Sequence, residues 1–384
     1  MLGERFLVAL LAVAASISPV LSAPASDVAL EQRAITYKPV SFKTIYVPPR
    51  NYNSPKTLYG RSVQLEDGTL LATWENYSPE LPRVYFPIHR STDGGVTWAP
   101  LSNITDTVNN WGLRYQPFLY LLPQAIGNLP KGTILASGVS IPADLSKTKI
   151  DVYASTNGGV SWQFVSTVVT GGKAVPDNAE SPVWEPFLMV YNNQLVIYYS
   201  SQLDRAHGQK LCHQVSSDGL SWGPVVNDVA YAAYARRPGM TTIALLPNGK
   251  YILTYENVGI SSPSGSGNPV YYRLSTNPLQ FDTAPEFLLG ANGVYPSSSP
   301  FVVWTPAGGA NGTIVVSANS HASIFVNTKL GDIGAWRQVA TPQSGAYSRE
   351  IRVLSDPNWL QIISAGYLNG DNYVTNSVFK VPGV

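Results

Sequence analysis

The chain has 384 residues, 44% of them hydrophobic and only 13% charged, about half the ~25% charged share of an average soluble protein. Its 25 Lys and Arg against 24 Asp and Glu leave a formal charge of +1, which excludes the broad basic surface that a nucleic-acid or acidic-polymer binder needs. With 22 Tyr, 9 Trp, 32 Gly and 30 Pro, it is rich in aromatic residues and turns, the composition of an ordered all-β protein.

The N-terminus reads as a targeting signal. Arg5 is followed by an apolar run from Phe6 to Ala15, too short to span a bilayer, and then by the small residues Ser22, Ala23 and Ala25. Residues 1–23 are therefore expected to be a signal peptide, and residues 24–33 a short pro-segment that a cut after Arg33 would remove. No later apolar run is long enough to anchor the chain, so the expected product is secreted, extracellular and not held in a membrane. On that route Asn76, Asn103 and Asn311 are glycosylation acceptors. Cys212 is the single cysteine, so stability must come from burial rather than disulfides. It sits in an apolar run and reads as a buried small hydrophobe.

From residue 61 onwards one pattern recurs six times: a polar residue, a short apolar strand, a turn and a second apolar strand. The copies begin at Arg61, Tyr115, Glu185, Arg237, Ser299 and Ser348. Turns such as Asp67-Gly68, Asn192-Asn193 and Asn248-Gly249 suit positive φ, so each copy reads as a hairpin. A hairpin cannot bury both faces alone, so the copies must stack. Between them lie Ser91-Thr-Asp-Gly-Gly-Val-Thr-Trp98, Ser155-Thr-Asn-Gly-Gly-Val-Ser-Trp162, Ser216-Ser-Asp-Gly-Leu-Ser-Trp222 and a degenerate Ser275-Thr-Asn-Pro278. This S-x-D-x-G-x-x-W pattern resembles the Asp-box of sialidases and related propellers, and its chemistry is structural: a side chain caps turn amides, Gly takes positive φ and Trp packs between sheets.

Six repeats and four boxes predict a single-domain, six-bladed β-propeller of four-stranded blades over residues 34–384. The strands within 35–47 and 373–381 are expected to pair and close the ring. The Pro/Gly/Ser stretch 259–269 is read as a long surface loop within the fourth repeat. The residues opening the repeats should converge on an axial pocket: Arg61, Tyr115, Glu185, Arg237, Ser299 and the Tyr347–Arg349 group. Glu256 and Glu75 end the second strands of the fourth and first repeats, where a charge is costly unless paired. The four histidines show no metal-ligand spacing, and no metalloprotease, nucleophile-elbow, P-loop or dinucleotide motif is present. Neither a metal nor a cofactor is expected.

The Asp-boxes and the segment Gly60-Arg-Ser-Val-Gln-Leu65 with Asp67-Gly-Thr-Leu-Leu-Ala72 resemble the sialidase superfamily. The segments Val183-Trp-Glu-Pro-Phe187 and Arg236-Arg-Pro-Gly-Met240 with Leu246-Pro-Asn-Gly-Lys-Tyr-Ile-Leu-Thr-Tyr-Glu-Asn257 resemble the secreted fungal exo-α-1,5-L-arabinanases of glycoside hydrolase family 93. The resemblance covers nearly the whole chain after the signal. It implies retaining, exo-acting release of arabinobiose from linear arabinan by two glutamates, which by motif match are Glu185 and Glu256. The residues fit this independently, because glycoside hydrolysis needs one protonated and one ionised carboxyl. Trp184, Pro186 and Phe187 around Glu185 favour a neutral acid, and Arg237 and Tyr347 beside Glu256 would favour an anion. Glu185 is accordingly assigned as general acid/base and Glu256, hydrogen-bonded by Tyr347, as nucleophile; the reverse assignment is the alternative. Arg61, Glu75, Tyr115, Trp184, Arg237 and Arg349 are the expected substrate-binding residues, the partner is the polysaccharide alone, and the protein is expected to be monomeric. Two other readings remain: a sialidase using Arg61, Arg237 and Arg349 as a carboxylate-binding triad, and a non-catalytic sugar-binding propeller.

Overall fold

The computed structural model describes residues 35–383; the expected signal peptide and pro-segment lie outside them. Strand β1 (Val40–Tyr46) is followed by a first blade of β2 (Thr57–Gln64), β3 (Leu70–Asn76), β4 (Phe86–Ser91) and β5 (Ala99–Ile104). The second blade is β6 (Leu113–Leu121), β7 (Ile134–Ser140), β8 (Thr148–Ser155) and β9 (Gln163–Gly171), and the third is β10 (Val183–Tyr191), β11 (Gln194–Ser201), β12 (Lys210–Ser216) and β13 (Val226–Val229). Then come β14 (Arg237–Leu245), β15 (Tyr251–Val258), β16 (Val270–Ser275) and β17 (Glu286–Leu288), and next β18 (Phe301–Thr305), β19 (Thr313–Ala318), β20 (His321–Asn327) and β21 (Arg337–Val339). The last blade holds β22 (Glu350–Val353), β23 (Trp359–Ser364) and β24 (Val374–Lys380), and β1 completes it by pairing antiparallel with β24, Thr44 opposite Thr375. All six sheets have four strands, so the chain is the expected six-bladed propeller and its two ends close the ring.

Burial follows from stacking blades against one another. The second strands β3, β7, β19 and β23 are buried at every residue, because a neighbouring blade covers each face. They are therefore largely apolar without strict alternation, and the polar residues they do carry, such as Glu75 and Gln361, are buried with them. The outermost strand β5 is mostly exposed. Val63, Leu71, Phe86 and Ile88 of the first blade pack in one cluster with Leu119, Ile134, Ala136 and Tyr153 of the second. Ala72 and Trp74 pack with Ile363, Val374 and Ile45 across the closure.

The Asp-boxes form the β4–β5, β8–β9 and β12–β13 turns. In the first, Asp93 Oδ1 accepts from the amides of Val96 and Thr97 at 3.1 and 2.9 Å, and Ser91 Oγ accepts from the Gly95 amide at 2.9 Å. Trp162 Nε1 donates to Ser102 Oγ at 3.2 Å and Trp222 Nε1 to Ser166 Oγ at 3.0 Å, each tying its box to the outer strand of the preceding blade. The fifth blade repeats the device in a form the spacing hides: Asn327 Oδ1 accepts from the Lys329 amide at 2.8 Å, and Trp336 Nε1 donates to Tyr272 Oη of the fourth blade at 3.4 Å. The stretch 259–269 lies between β15 and β16 and is tied across itself by the Ser262 amide to the Ser266 carbonyl at 2.8 Å. Cys212 is buried, its thiol 3.7 Å from the Tyr199 carbonyl.

Two placements differ from the sequence reading. Asn76 is 3% exposed at the end of β3, which closes it to a glycan in the folded chain; Asn103 is exposed on β5, and Asn311 is half-buried. The second concerns the residue that opens each blade. At or just before the start of every innermost strand stands a residue in the left-handed region: Tyr59 (φ 58°), Gln116 (56°), Glu185 (62°) and Met240 (60°), each at a bulge, and Ser299 (47°) and Ser348 (50°), which precede their strands. Arg61, Tyr115, Arg237 and Arg349 are thus not at the equivalent positions; Glu185, Ser299 and Ser348 are. Since side chains alternate along a strand, a slip of one residue sends a side chain to the other face.

Candidate active site

The six left-handed residues occupy equivalent places in the six blades. Left-handed φ at a residue with a side chain costs about 1–3 kcal/mol and persists only where the surroundings hold it. Here the preceding blade does so. Glu75 Oε1 accepts from the Gln116 amide at 2.9 Å, and Gln116 Oε1 from the Glu185 amide at 3.0 Å. Glu185 Oε2 accepts from the Met240 amide at 2.7 Å, and Glu256 Oε2 from the Ser299 amide at 2.8 Å. The amides of four successive left-handed residues are therefore each capped by a side chain of the blade before. The same contacts fix three carboxyl groups around one opening.

That opening is a cavity of 460 Å³ whose lining includes Glu75, Tyr77, Tyr115, Gln116, Trp184, Glu185, Gln209, Arg237, Glu256 and Tyr347. Gly239, buried on β14, lies close to the second and third acids. A Cβ there would stand 3.5 Å from Glu185 Oε2, 3.5 Å from Glu256 Oε1 and 2.9 Å from Gln209 Nε2. The two carboxyl oxygens are thus no further apart than twice the first distance.

The three acids differ in their partners. Glu185 Oε2 also accepts from Ser200 Oγ at 2.6 Å. Burial, then the charge of Glu256, pushes the Glu185 carboxyl up to about 7 against its hydrogen bonds and Arg237. Burial raises Glu256 too, opposed by the Ser299 amide, the Ser298 hydroxyl and Arg237. Burial takes Glu75 to about 7 against the Gln116 amide and the Tyr77 hydroxyl, the latter donating to Oε2 at 2.9 Å. Arg237 donates to the Pro176 carbonyl at 2.8 Å and to Gln202 Oε1 at 3.1 Å, and Trp184 Nε1 donates to the same Gln202 oxygen at 3.2 Å. Gln202 thereby locks the arginine and the indole together at the cavity wall.

Several expected site residues lie elsewhere. Arg61 is 4% exposed beneath the cavity, donating to the Ser348 carbonyl at 2.6 Å and to Ser348 Oγ at 2.8 Å, with its guanidinium over the Tyr59 ring. Arg349 is fully buried, and its guanidinium donates to the carbonyls of His321, Ala322, Ser323 and Ser344. It holds the fifth and sixth blades together and offers nothing to a ligand. The arginine triad is therefore not assembled. Tyr347 lines the cavity, but its hydroxyl donates to Met240 Sδ at 3.7 Å and not to Glu256; burial and the surrounding carboxylates keep it protonated. Gln116 and Gln209 were missed. The tripeptides Gln116-Pro-Phe118, Glu185-Pro-Phe187 and Ser299-Pro-Phe301 carried the correct alignment and place Gln116, not Tyr115, opposite Glu185. Among the described residues, no group of three or more His, Cys, Asp or Glu side chains is placed to hold a metal ion.

A propeller with a pair of glutamates facing each other across an aromatic axial cavity defines a carbohydrate-cleaving hydrolase of the sialidase-like architecture. No protein-family model matches the chain, and no curated protein sequence does. Solved structures do. The GH93 α-L-arabinofuranosidase of Fusarium graminearum in complex with arabinobiose is 52% identical, with a TM-score of 0.88 over 89% of this chain and 98% of that one. The Penicillium chrysogenum α-L-arabinanase in complex with arabinobiose is 48% identical, with a TM-score of 0.86 over 90% of this chain and 99% of that one. The NanB sialidase of Streptococcus pneumoniae, 9% identical with a TM-score of 0.57 over 90% of this chain and 71% of that one, shares the fold alone. The chain belongs to glycoside hydrolase family 93.

Proposed function

We propose that this glycoside hydrolase is a secreted exo-α-1,5-L-arabinanase that releases arabinobiose from linear arabinan with retention of configuration, Glu185 acting as general acid/base and Glu256 as nucleophile. The observation that carries the proposal is that one oxygen of each carboxyl lies 3.5 Å from the point a Cβ of Gly239 would occupy. Such closeness accommodates the ~5–5.5 Å separation of a retaining pair and supports that reading. Glu185, raised to about 7, holds a proton at mildly acidic pH. It gives that proton to the glycosidic oxygen as Glu256 bonds to the anomeric carbon and the bond to the leaving oxygen breaks. Water then attacks the same carbon, Glu185 takes its proton and the ester to Glu256 breaks.

Exo action is supported by the packing next to the cavity. Arg61, Tyr59, Phe118, Phe187, Met240 and Phe301, packed beside Glu185, leave a space of only 10 Å³, too small for a sugar ring, so a sugar chain cannot thread further along that direction. Trp184, Tyr77 and Tyr115 supply the aromatic faces suited to sugar rings. The two structures solved with arabinobiose support the substrate class. The N-terminal pattern supports secretion, with Asn103 the exposed glycosylation acceptor. A sialidase role is disfavoured because Arg61 and Arg349 are bonded to main-chain carbonyls. Product analysis on debranched arabinan tests the proposal: arabinobiose as the first and main product is expected. Internal cleavage to a ladder of oligosaccharides would refute exo action, and turnover of a sialoside instead would refute the substrate.

A further inference from the structure

Gln116 is the one residue that touches two of the three cavity acids through separate groups. Its backbone amide is held by Glu75 Oε1 at 2.9 Å, and its side-chain carbonyl holds the Glu185 amide at 3.0 Å. The second bond settles which way the carboxamide points. A backbone N–H can only donate, so the atom facing it must be Oε1, and Nε2 must occupy the other side. Gln116 is half-buried and lines the cavity. Among the described residues its Nε2 has no hydrogen-bond partner, and it is not among the fully buried unpaired atoms. Both protons of that NH₂ group are thus free at the cavity surface, on a side chain that cannot rotate without losing the Glu185 amide.

We propose that Gln116 is a substrate-binding residue of this site, its Nε2 donating to an oxygen of the sugar held beside Glu185, while its Oε1 positions the Glu185 backbone. A polyhydroxylated substrate offers many acceptors, and the acids of the cavity offer donors only in their protonated forms. An amide held in one orientation supplies a donor at every pH. The left-handed backbone at 116, itself capped by Glu75, holds the residue between Glu75 and the Glu185 backbone. The proposal rests on the carbohydrate reading of the cavity and assigns a residue to it.

Two substitutions separate the donor from the anchor. Gln116→Glu keeps an oxygen for the Glu185 amide and removes the NH₂ group. Gln116→Met removes both. Arabinobiose binding is measured by calorimetry from pH 4 to pH 8 for the full chain and both variants, beside kcat and KM on linear arabinan and thermal melts. The charged and titratable groups facing the site are Glu75, Glu185, Glu256, Arg237 and the tyrosines 77, 115 and 347, so each variant is compared with the unaltered protein at the same pH. Gln116→Glu should melt within a few degrees of the parent and bind arabinobiose about tenfold more weakly at pH 8, the loss of one hydrogen bond at a desolvated site. The deficit should shrink as pH falls and the new carboxyl gains a proton to donate, which a purely structural role would not produce. Gln116→Met should show the same weakening at every pH and a further drop in kcat as the Glu185 amide loses its acceptor. Arabinobiose affinity within twofold of the parent in both variants would overturn the proposal. A parent protein that binds no arabinobiose and cleaves no arabinan would instead overturn the functional reading.

Discussion

Replacing Glu185 by glutamine should stabilise the fold at alkaline pH while abolishing hydrolysis. The carboxyl moves from 4.5 to about 7 on folding, because burial and the Glu256 charge disfavour the anion. A displacement of that size corresponds to at most about 3 kcal/mol of preference for the neutral form. The sign follows from proton binding. Below about pH 4.5 both the folded and the unfolded chain hold the proton, and the group has no effect. As pH rises towards 7 the unfolded chain releases it first, so unfolding gains a growing advantage, complete above the folded value. A glutamine carries no such penalty. It also keeps the local bonds: Ser200 Oγ and the Met240 amide both donate to Oε2, so an amide with its oxygen there serves both and turns its NH₂ group to the cavity. In a chain of this size 3 kcal/mol corresponds to about 4 °C in Tm. Thermal melts of parent and Glu185→Gln at pH 4.5 and pH 8 check this: equal Tm at the lower pH and a gain of up to about 4 °C at the higher are expected. A variant that gains equally at both, or loses at pH 8, would refute the argument that the folded state strains against this ionisation.

The same carboxyl sets the alkaline limit of activity: kcat/KM on arabinan should fall as pH rises through about 7, when the acid loses its proton, and a profile flat to pH 9 would remove Glu185 from that role. Glu185→Gln should lose several orders of magnitude in kcat on arabinan but recover much of the rate on an aryl arabinoside whose leaving group needs no proton, and azide rescue with retained configuration would mark it as acid/base, whereas inverted product would make it the nucleophile. Gly239→Ala puts a methyl 2.9 Å from Gln209 Nε2 and in ordinary contact, 3.5 Å, with both carboxyls; Gln209 must give way from its bond to the Pro238 carbonyl, so a fall in both kcat/KM and Tm is expected, and parent-like kinetics and melting would refute this placement of the glycine. Arg349→Met leaves four buried carbonyls without their donor and should cost folding, seen as insolubility or a large fall in Tm, not a change in KM.

The propeller was legible because stacking imposes itself on every repeat. Second strands buried on both faces are mostly apolar, the turns between them need Gly or Asn, and the boxes spell out their own hydrogen bonds. Closure was legible for the same reason, since the apolar stretch near residue 40 had no other edge to pair with. What escaped was register at the axis. Arg61, Arg237 and Arg349 looked alike as charges near strand starts, but a charge can satisfy itself on carbonyls as well as on a ligand. Arg349 does so at four of them, and no local pattern in the sequence distinguishes the two uses. Glu185 and Glu256 were legible because an acid inside an apolar strand has few inexpensive partners, and a neighbouring blade's backbone amide is one of them.

That last point connects the fold to the chemistry. A left-handed residue at the head of these strands leaves its own amide outside the strand ladder, and such an amide must find an acceptor or cost ~1–3 kcal/mol. Around this axis the acceptor at Gln116, Met240 and Ser299 is a carboxylate from the blade before. The backbone thus demands acids beside these residues independently of any substrate, and those acids are then buried, raised in pKa and immobilised. Of the three, Glu185 and Glu256 each also bring an oxygen to 3.5 Å from where a Cβ of Gly239 would stand. Glu75 has the same kind of cap and a raised pKa, yet its second oxygen is taken by Tyr77, leaving it a buttress for Gln116. Glu75→Gln should therefore leave aryl-arabinoside kcat within a few-fold of the parent while weakening the hold on Gln116, and a loss as deep as that of Glu256→Gln would promote Glu75 to a base acting on water, with the β-anomer of arabinobiose appearing first by proton NMR.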